Sequence, residues 1–416
     1  MLFRSYTTIN PRLQQAARKA MRDTLSRYTN PPSAAVVMIE AKTGRVLAMA
    51  SSEEYNRKNQ FNVAGPLAHR QAGSTFKAFV LTTAIKDGVS PNTRYFSKSP
   101  IKSNGAECDP PVAFDVSTYS HKGAGLLTIA GATTRSDNSV FAQMTCDLGP
   151  PNVFDTARSM GITSLDPNVD RYTISMGLGG LYRGVNVLEM ARAYAPLANG
   201  GYRVRLLPMT KLVRPDGKAT VFKPERTKIF PDGVSAEVTK ILRANVLGGT
   251  GTAANLPNVP VAGKTGTTSD FVDAWFVGYT PKYVTAVWMG YPDERISMPG
   301  VTGGTYPARI WHSFMSVATA RESGQAFLTP TEPATYQPFA GYWARQASAL
   351  AANEAKKKAE EDAKKKAQAD AAKKKNKKKH QPTPGAPGAP PLPNPGDGGG
   401  VPTAPPSTSP TVPTIP

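Results

Sequence analysis

Gly73-Ser74-Thr75-Phe76-Lys77-Ala78-Phe79-Val80-Leu81-Thr82-Thr83-Ala84-Ile85-Lys86-Asp87-Gly88 joins a helix pattern to a reactive pair of side chains. Apolar residues at Phe76, Phe79, Val80 and Ala84 recur at helical spacing, and Gly88 supplies a stop. A serine at such a start ordinarily caps an orphan amide. Lys77 changes that reading, because three residues along a helix is about one turn and puts its amine on the face that carries the Ser74 hydroxyl. A serine hydroxyl is a weak nucleophile unless a neighbour takes its proton. A lysine takes a proton only when neutral, and both desolvation and a second cation push an amine that way. Phe76 and Phe79 point to a buried helix, so the spacing predicts a desolvated base beside a hydroxyl at the helix's electropositive end.

Around this helix the chain alternates between sheet and helix patterns. Residues 10–28 carry Leu13, Ala16, Ala17, Ala20, Met21 and Leu25 in an amphipathic helix pattern. Ala34 to Ile39 and Val46 to Ala50 read as two strands joined through Lys42-Thr43-Gly44. From Ser74 to about Arg243 the pattern is mainly helical, including the flanks Leu126–Ala132 and Val140–Met144 of Ser136-Asp137-Asn138. Strands return at Val259–Thr267, Ala274–Tyr279 and Tyr283–Gly290, and Ala308 to Ala320 reads as a closing helix. Two strands before a helical insert and three after it predict one five-stranded antiparallel sheet in an α/β (α+β) fold. Terminal helices are expected on one face and the insert on the other. Ser74 starts the insert and Lys264 lies on the sheet's return, so both fall at the boundary between layers, where clefts form.

Ser136-Asp137-Asn138, taken alone, has the composition of a turn or cap. Val259-Pro260-Val261-Ala262-Gly263-Lys264-Thr265-Gly266-Thr267-Thr268 reads as an edge strand. Gly263 and Gly266 remove side chains where another backbone or a ligand approaches closely. Lys264, Thr265 and Thr267 present a cation and hydroxyls suited to a carboxylate, and a free edge lets a peptide lie alongside as an extra strand.

In this order, Ser74-Thr75-Phe76-Lys77, Ser136-Asp137-Asn138 and Lys264-Thr265-Gly266-Thr267 resemble the motif trio of penicillin-binding proteins and class A β-lactamases. The likeness is greatest to the transpeptidase domain of class A (bifunctional) penicillin-binding proteins. It includes Ile9–Ala17, Thr43–Met49, Met176–Gly180, Asp273–Pro281 and Gly303–Trp311, and covers about residue 8 to residue 325. The resemblance implies the serine β-lactamase/penicillin-binding transpeptidase fold and a penicillin-sensitive peptidoglycan D,D-transpeptidase working through an acyl-serine. It casts Ser74 as nucleophile, Lys77 as its base, Ser136 as proton relay and Asn138 as the amide that holds the substrate's peptide bond. Lys264 would hold Ser136 and, with Thr265, Gly266 and Thr267, take the carboxylate of D-alanyl-D-alanine. The amides of Ser74 and Thr267 are oxyanion-hole candidates, a role worth about 3–4 kcal/mol per donor in other hydrolases. Stem peptides and β-lactams are the implied partners, with no cofactor and no metal. The departure is at the front: no glycosyltransferase domain precedes Ile9, so only the cross-linking half is expected.

The same reading divides the chain into an N-terminal helix (1–30), a transpeptidase domain (31–325), a connecting segment (326–350), a Lys/Ala-rich charged segment (351–380) and a Pro/Gly-rich disordered tail (381–416). Residues 351–380 hold four lysine triplets, and Glu360–Lys364 and Glu361–Lys365 suit a solvated helix. With a net charge of +20, an anionic wall polymer or lipid surface is an expected partner of the Lys-rich segment, and a solubilising charge run is the plainer alternative. The segment has no interleaved aromatics for stacking bases, so no nucleic acid is expected. No stretch approaches 18 uninterrupted apolar residues, and Met1-Leu2-Phe3-Arg4 lacks a signal-peptide core. Wall cross-linking is extracytoplasmic, so the export signal and anchor are expected outside this chain. Cys108 and Cys146 allow one disulfide or two buried thiols, and His69, His121, His312 and His380 show no ligand spacing.

A serine β-lactamase would use the same attack but needs a glutamate to activate its deacylating water. None occurs between Ser139 and Gly184, and Glu189 sits in a helical run. A D-alanyl-D-alanine carboxypeptidase differs only in passing the acyl group to water. A penicillin-sensing protein and a basic polyanion-binding protein are the non-enzymatic alternatives; the second leaves the three motifs unexplained.

Overall fold

The computed structural model describes residues 3–54, 57, 60–292 and 294–378. Its elements follow from which faces must be buried. Asn10 caps the first helix, α1 (Pro11–Leu25), by accepting from the Arg12 and Leu13 amides at 3.0 and 3.3 Å, with proline at the first helical position. Then come β1 (Ser33–Glu40) and β2 (Val46–Ser51). The insert contains α2 (Lys77–Lys86), α3 (Ile129–Arg135), α4 (Asn138–Leu148), α5 (Val187–Ala198) and α6 (Asp232–Gly248) among other elements. The return supplies β3 (Ala262–Thr267), β4 (Asp273–Tyr279), β5 (Tyr283–Gly290) and α7 (Tyr306–Ala318), and α8 (Tyr342–Lys378) follows.

The five strands form one sheet in the order β3-β4-β5-β1-β2, every neighbour antiparallel. On β1, Ala34, Val36 and Met38 join the core that contains Leu13, Ala17 and Met21 of α1 and Trp311 and Phe314 of α7. Ala35, Val37 and Ile39 join the other core, built largely from the insert. Covered on both faces, the strand reads as an unbroken apolar run instead of an alternating one. The expected architecture is therefore present, with β3 at a sheet edge.

The insert is less uniformly helical than its composition suggests. Arg94–Ser97 pairs with Gly125–Thr128, Ile101–Ser103 with Phe114–Val116, and Tyr202–Val204 with Arg226–Lys228. Leu126–Thr128 is thus strand, and helix begins only at Ile129, where the Thr128 side chain accepts from the Gly131 amide. Cross-strand pairing and a threonine cap outweigh the apolar run there. On the return, Val259–Val261 lies outside the strand, which starts at Ala262.

Cys108 and Cys146 form a disulfide, resolving the choice between bridge and free thiols. It closes a loop of 38 residues and ties α4 to the segment before the second motif. In the chain-entropy description a loop of that length contributes about 4 kcal/mol. Next to it, the Asp147 carboxylate accepts from the Trp343 and Ala344 amides, both at 3.0 Å, capping the start of α8.

The chain divides into one unit of residues 1–355 and a second from residue 356. In the first, Ala344 and Ala347 are buried and Trp343 packs against Phe114 at a ring separation of 6.0 Å. The described part of the second is helical to Lys378 and exposed through Lys374. The Pro/Gly-rich stretch expected to be disordered, 381–416, lies outside the described residues. A chain ending after Ala355 should melt close to the full-length protein. One ending after Ala340 should melt lower by roughly 2–4 °C, because it loses the buried face of α8 and the groups bonded to Asp147. Calorimetry of the two truncations tests this.

Candidate active site

The turn carrying Ser74 is held from three sides. Gly73 adopts φ +50°, and a Cβ there would lie 2.8 Å from the Thr267 carbonyl, so glycine is required. The Thr75 hydroxyl donates to the Ala72 carbonyl at 2.7 Å, and Tyr194 of α5 donates to the Thr75 carbonyl at 2.5 Å. Trp275 of β4 donates from its indole nitrogen to the Gln71 carbonyl at 2.8 Å. Ser74 does not open an α-helix directly: Gly73–Phe76 is a 3₁₀ turn, and α2 starts at Lys77. A 3₁₀ turn brings residues i and i+3 onto one side, so Lys77 still follows Ser74 by one turn on the same face.

Lys77 is fully buried, its amine 5.3 Å from the centre of the Phe141 ring. It donates to the Ser136 carbonyl at 2.7 Å and to Asn138 Oδ1 at 2.6 Å, with Ser136 Oγ at 3.5 Å. Burial lowers its pKa from 10.5 to about 7, against the opposing pull of the Asp137 carboxylate. Lys264, on β3, is equally buried and donates to Ser136 Oγ at 2.8 Å and to the Thr265 carbonyl at 3.0 Å. Burial, and after it the Lys77 cation, holds Lys264 well below the ordinary lysine range. The neutralising factor at Lys77 is thus chiefly burial; the expected like-charge effect is felt at Lys264.

Ser136 joins the two amines. It ends α3 at φ 57°, ψ 40°, a left-handed conformation uncommon for a non-glycine residue. In that turn its carbonyl accepts from Lys77 and its hydroxyl from Lys264. The following Asp137 caps α4 through the Val140 amide at 2.9 Å and accepts from Ser97 Oγ at 2.6 Å. Asn138 is tied into the same cluster through both ends of its amide. Its oxygen is bonded to Lys77 and its NH2 donates to the Ser117 carbonyl at 3.0 Å.

Thr265 and Gly266 are buried and Thr267 is half-buried on the edge strand. A Cβ at Gly266 would meet the Ala72 carbonyl at 2.6 Å, which lets β3 press against the Ser74 turn. Thr267 Oγ1 accepts from the Gly303 amide at 3.1 Å. All eight singled-out residues therefore fall on three adjoining pieces: the Ser74 turn, the α3–α4 junction and β3. Sequence reasoning missed the supports. Tyr194 and Trp275 read as ordinary core aromatics; Asn245 is a polar residue between apolar helical neighbours, which was the available signal. Among the described residues no cluster of three or more His, Cys, Asp or Glu is arranged for a metal.

The chain's likeness to known proteins agrees with this geometry. The family described as the penicillin binding protein transpeptidase domain matches residues 34–315. Penicillin-binding protein 1A of Aquifex aeolicus is 31% identical over 301 residues, covering 71% of this chain and 39% of the relative. The protein of the same name from Neisseria meningitidis is 33% identical over 304 residues, covering 71% and 37%. The chain thus spans about two fifths of the length of these curated relatives. Among solved structures, PonA1 of Mycobacterium tuberculosis in complex with penicillin V superposes with a TM-score of 0.69 at 30% identity, covering 81% of this chain and 91% of that one. With a turn-borne serine, two buried lysines meeting at Ser136 and an edge strand beside them, this chain belongs to the penicillin-binding protein transpeptidase domain family.

Proposed function

We propose that this chain is a penicillin-sensitive peptidoglycan D,D-transpeptidase that works through an acyl-Ser74 intermediate. The observation that carries the reading is the joint burial of Lys77 and Lys264 on the two oxygens of Ser136, one turn below Ser74. Neutral Lys77 takes the Ser74 proton as Oγ attacks the penultimate carbonyl of a D-alanyl-D-alanine stem. Negative charge develops on the carbonyl oxygen, and in this reading the Ser74 and Thr267 amides act as its donors. As the C–N bond breaks, the departing D-alanine amine takes a proton from Ser136, and the proton that Lys77 took from Ser74 replaces it, which returns Lys77 to the neutral form while Lys264 holds the Ser136 oxygen. An acceptor amine then attacks the ester and regenerates Ser74. Lys264, Thr265 and Thr267 receive the terminal carboxylate beside the free edge of β3. This reading places the reaction on the outer face of the cytoplasmic membrane, where its substrate is.

A hydrolytic reading has less support. Glu189, the first glutamate after the second motif, is buried and saturated. Its carboxylate accepts from the Thr163 amide, the Thr163 hydroxyl at 2.8 Å, the Ser164 amide at 2.9 Å and the Ser164 hydroxyl at 2.8 Å. It is a helix-and-loop clamp, not a base poised over an ester. A carboxypeptidase would share every group named above, and adding an amine acceptor to the stem-peptide assay separates the two by product mass.

Intact mass after incubation with penicillin should show one stable adduct, and Ser74→Ala should abolish it with the melting temperature unchanged. An adduct that survives in Ser74→Ala would remove the nucleophile assignment. Acylation should also depend on pH in a defined direction. Because Lys77 must lose its proton to act, the second-order rate should rise with pH through a midpoint near 7 and level off above it. A flat profile through that region would place the base elsewhere, with Ser136 the next candidate.

A further inference from the structure

Beside the edge strand lies a second layer of hydrogen bonds in which all protons but those of two threonine hydroxyls are assigned by their partners. Asn245, near the end of α6, is fully buried. Its Nδ2 donates to the Gly263 carbonyl at 2.9 Å and its Oδ1 accepts from the Thr250 amide at 3.2 Å. A carbonyl only accepts and a backbone amide only donates, so these two bonds fix which end of the Asn245 amide faces which way. The same oxygen lies 3.0 Å from Thr250 Oγ1, so the Thr250 hydroxyl has an acceptor there. Thr250 Oγ1 is also 2.6 Å from Thr265 Oγ1, a contact in which either oxygen can be the donor. Thr265 Oγ1 lies 3.4 Å from the Lys264 amine.

When the Thr250 hydroxyl donates to Asn245, the chain of donors runs one way. Lys264 donates to Thr265, Thr265 to Thr250, and Thr250 to Asn245. In that arrangement the only hydroxyl proton of Thr265 points away from the cleft. An incoming carboxylate needs that proton. At 2.6 Å the Thr250 and Thr265 oxygens need a proton between them, so Thr265 can turn its own to the ligand only if the Thr250 hydroxyl, rotating from Asn245 to Thr265, supplies that proton. Asn245 Oδ1 keeps the Thr250 amide throughout, so no buried group loses its last partner.

We propose that Thr250 is a positioning residue for carboxylate recognition, a hydroxyl rotor held between Asn245 and Thr265 that frees the Thr265 proton for the ligand's carboxylate. The proposal rests on the reading of β3 as the carboxylate-binding strand and adds the residue that sets its donor direction. It predicts selectivity for the acid over the neutral form of one ligand, a property that packing alone would not produce. Thr250 is exposed, so changing it removes little of the core.

The test is the acylation kinetics of the full chain with a penicillin and with its methyl ester, separating the dissociation constant of the encounter complex from the maximal acylation rate. In Thr250→Val the dissociation constant for the acid should rise about five- to tenfold, the loss of one hydrogen bond's contribution at a charged ligand. The maximal rate with the acid should stay within about twofold of the parent. Neither constant should change for the ester, and Thr250→Ser should behave as the parent does. Equal losses for acid and ester would make Thr250 a merely structural support and overturn the proposal. So would an unchanged dissociation constant for the acid, or failure of serine to restore it. If the parent chain forms no adduct with either ligand, the functional reading itself fails, a result distinct from any of these.

Discussion

Two lysine amines buried beside one serine are the constraint on which the site depends. Burial favours the neutral amine, and the displacement of Lys77 from 10.5 to about 7 corresponds to about 5 kcal/mol held against the folded state below that pH. The sign follows from proton binding. Between about 7 and 10.5 the unfolded chain keeps a proton that the folded chain has lost, so stability rises with pH across that window. The structure offsets this by giving each amine oxygen acceptors: Ser136 O and Asn138 Oδ1 for Lys77, Ser136 Oγ and Thr265 O for Lys264. Ser136 serves both by taking a left-handed backbone, a strain of order 1–3 kcal/mol for a non-glycine residue.

The rest of the fold holds these groups at fixed separations. The sheet is covered on both faces, so β3 and β4 have a rigid footing, and β4 reaches the Ser74 turn through Trp275. Helix α5 holds the same turn from the other side through Tyr194. Helix α6 reaches β3 through Asn245, whose amide meets the carbonyl immediately before Lys264. Glycine at positions 73 and 266 lets turn and strand approach more closely than side chains would permit. Ser74, Ser136 and β3 therefore come from three separate parts of the chain, and each is fixed by a neighbour's side chain.

Much of this was legible in the sequence. The apolar runs of β1 and β5 and the helical spacing of α1 and α7 were strong enough to yield strand number, insert position and layer arrangement, while the strand order came from the structure. Ser74 and Lys77 were legible from helix register and Ser74 and Lys264 from the element order, whereas Ser136, a turn or cap by itself, was legible only through the resemblance of the three motifs to those of penicillin-binding proteins. What was hidden depends on tertiary contact. The 3₁₀ turn at Ser74 is set by Gly73 meeting Thr267, almost two hundred residues away. The strand at Leu126 depends on pairing with Phe96, and the roles of Asn245 and Thr250 depend on where α6 ends relative to β3. That Asn138 offers an amide at the site was legible, but not that its oxygen accepts from a lysine. Only the geometry assigns its oxygen to Lys77.

The direct measurement of the central claim is the titration of Lys77 itself, by NMR of isotopically labelled lysine side chains in the ligand-free protein, with the resonance assigned from a Lys77→Met variant. A midpoint near 7 would establish that burial has prepared a neutral base beneath Ser74. A Lys77 that stays charged up to the ordinary lysine value of about 10.4 would contradict the account, because the amine would then have no lone pair to accept the serine's proton at neutral pH.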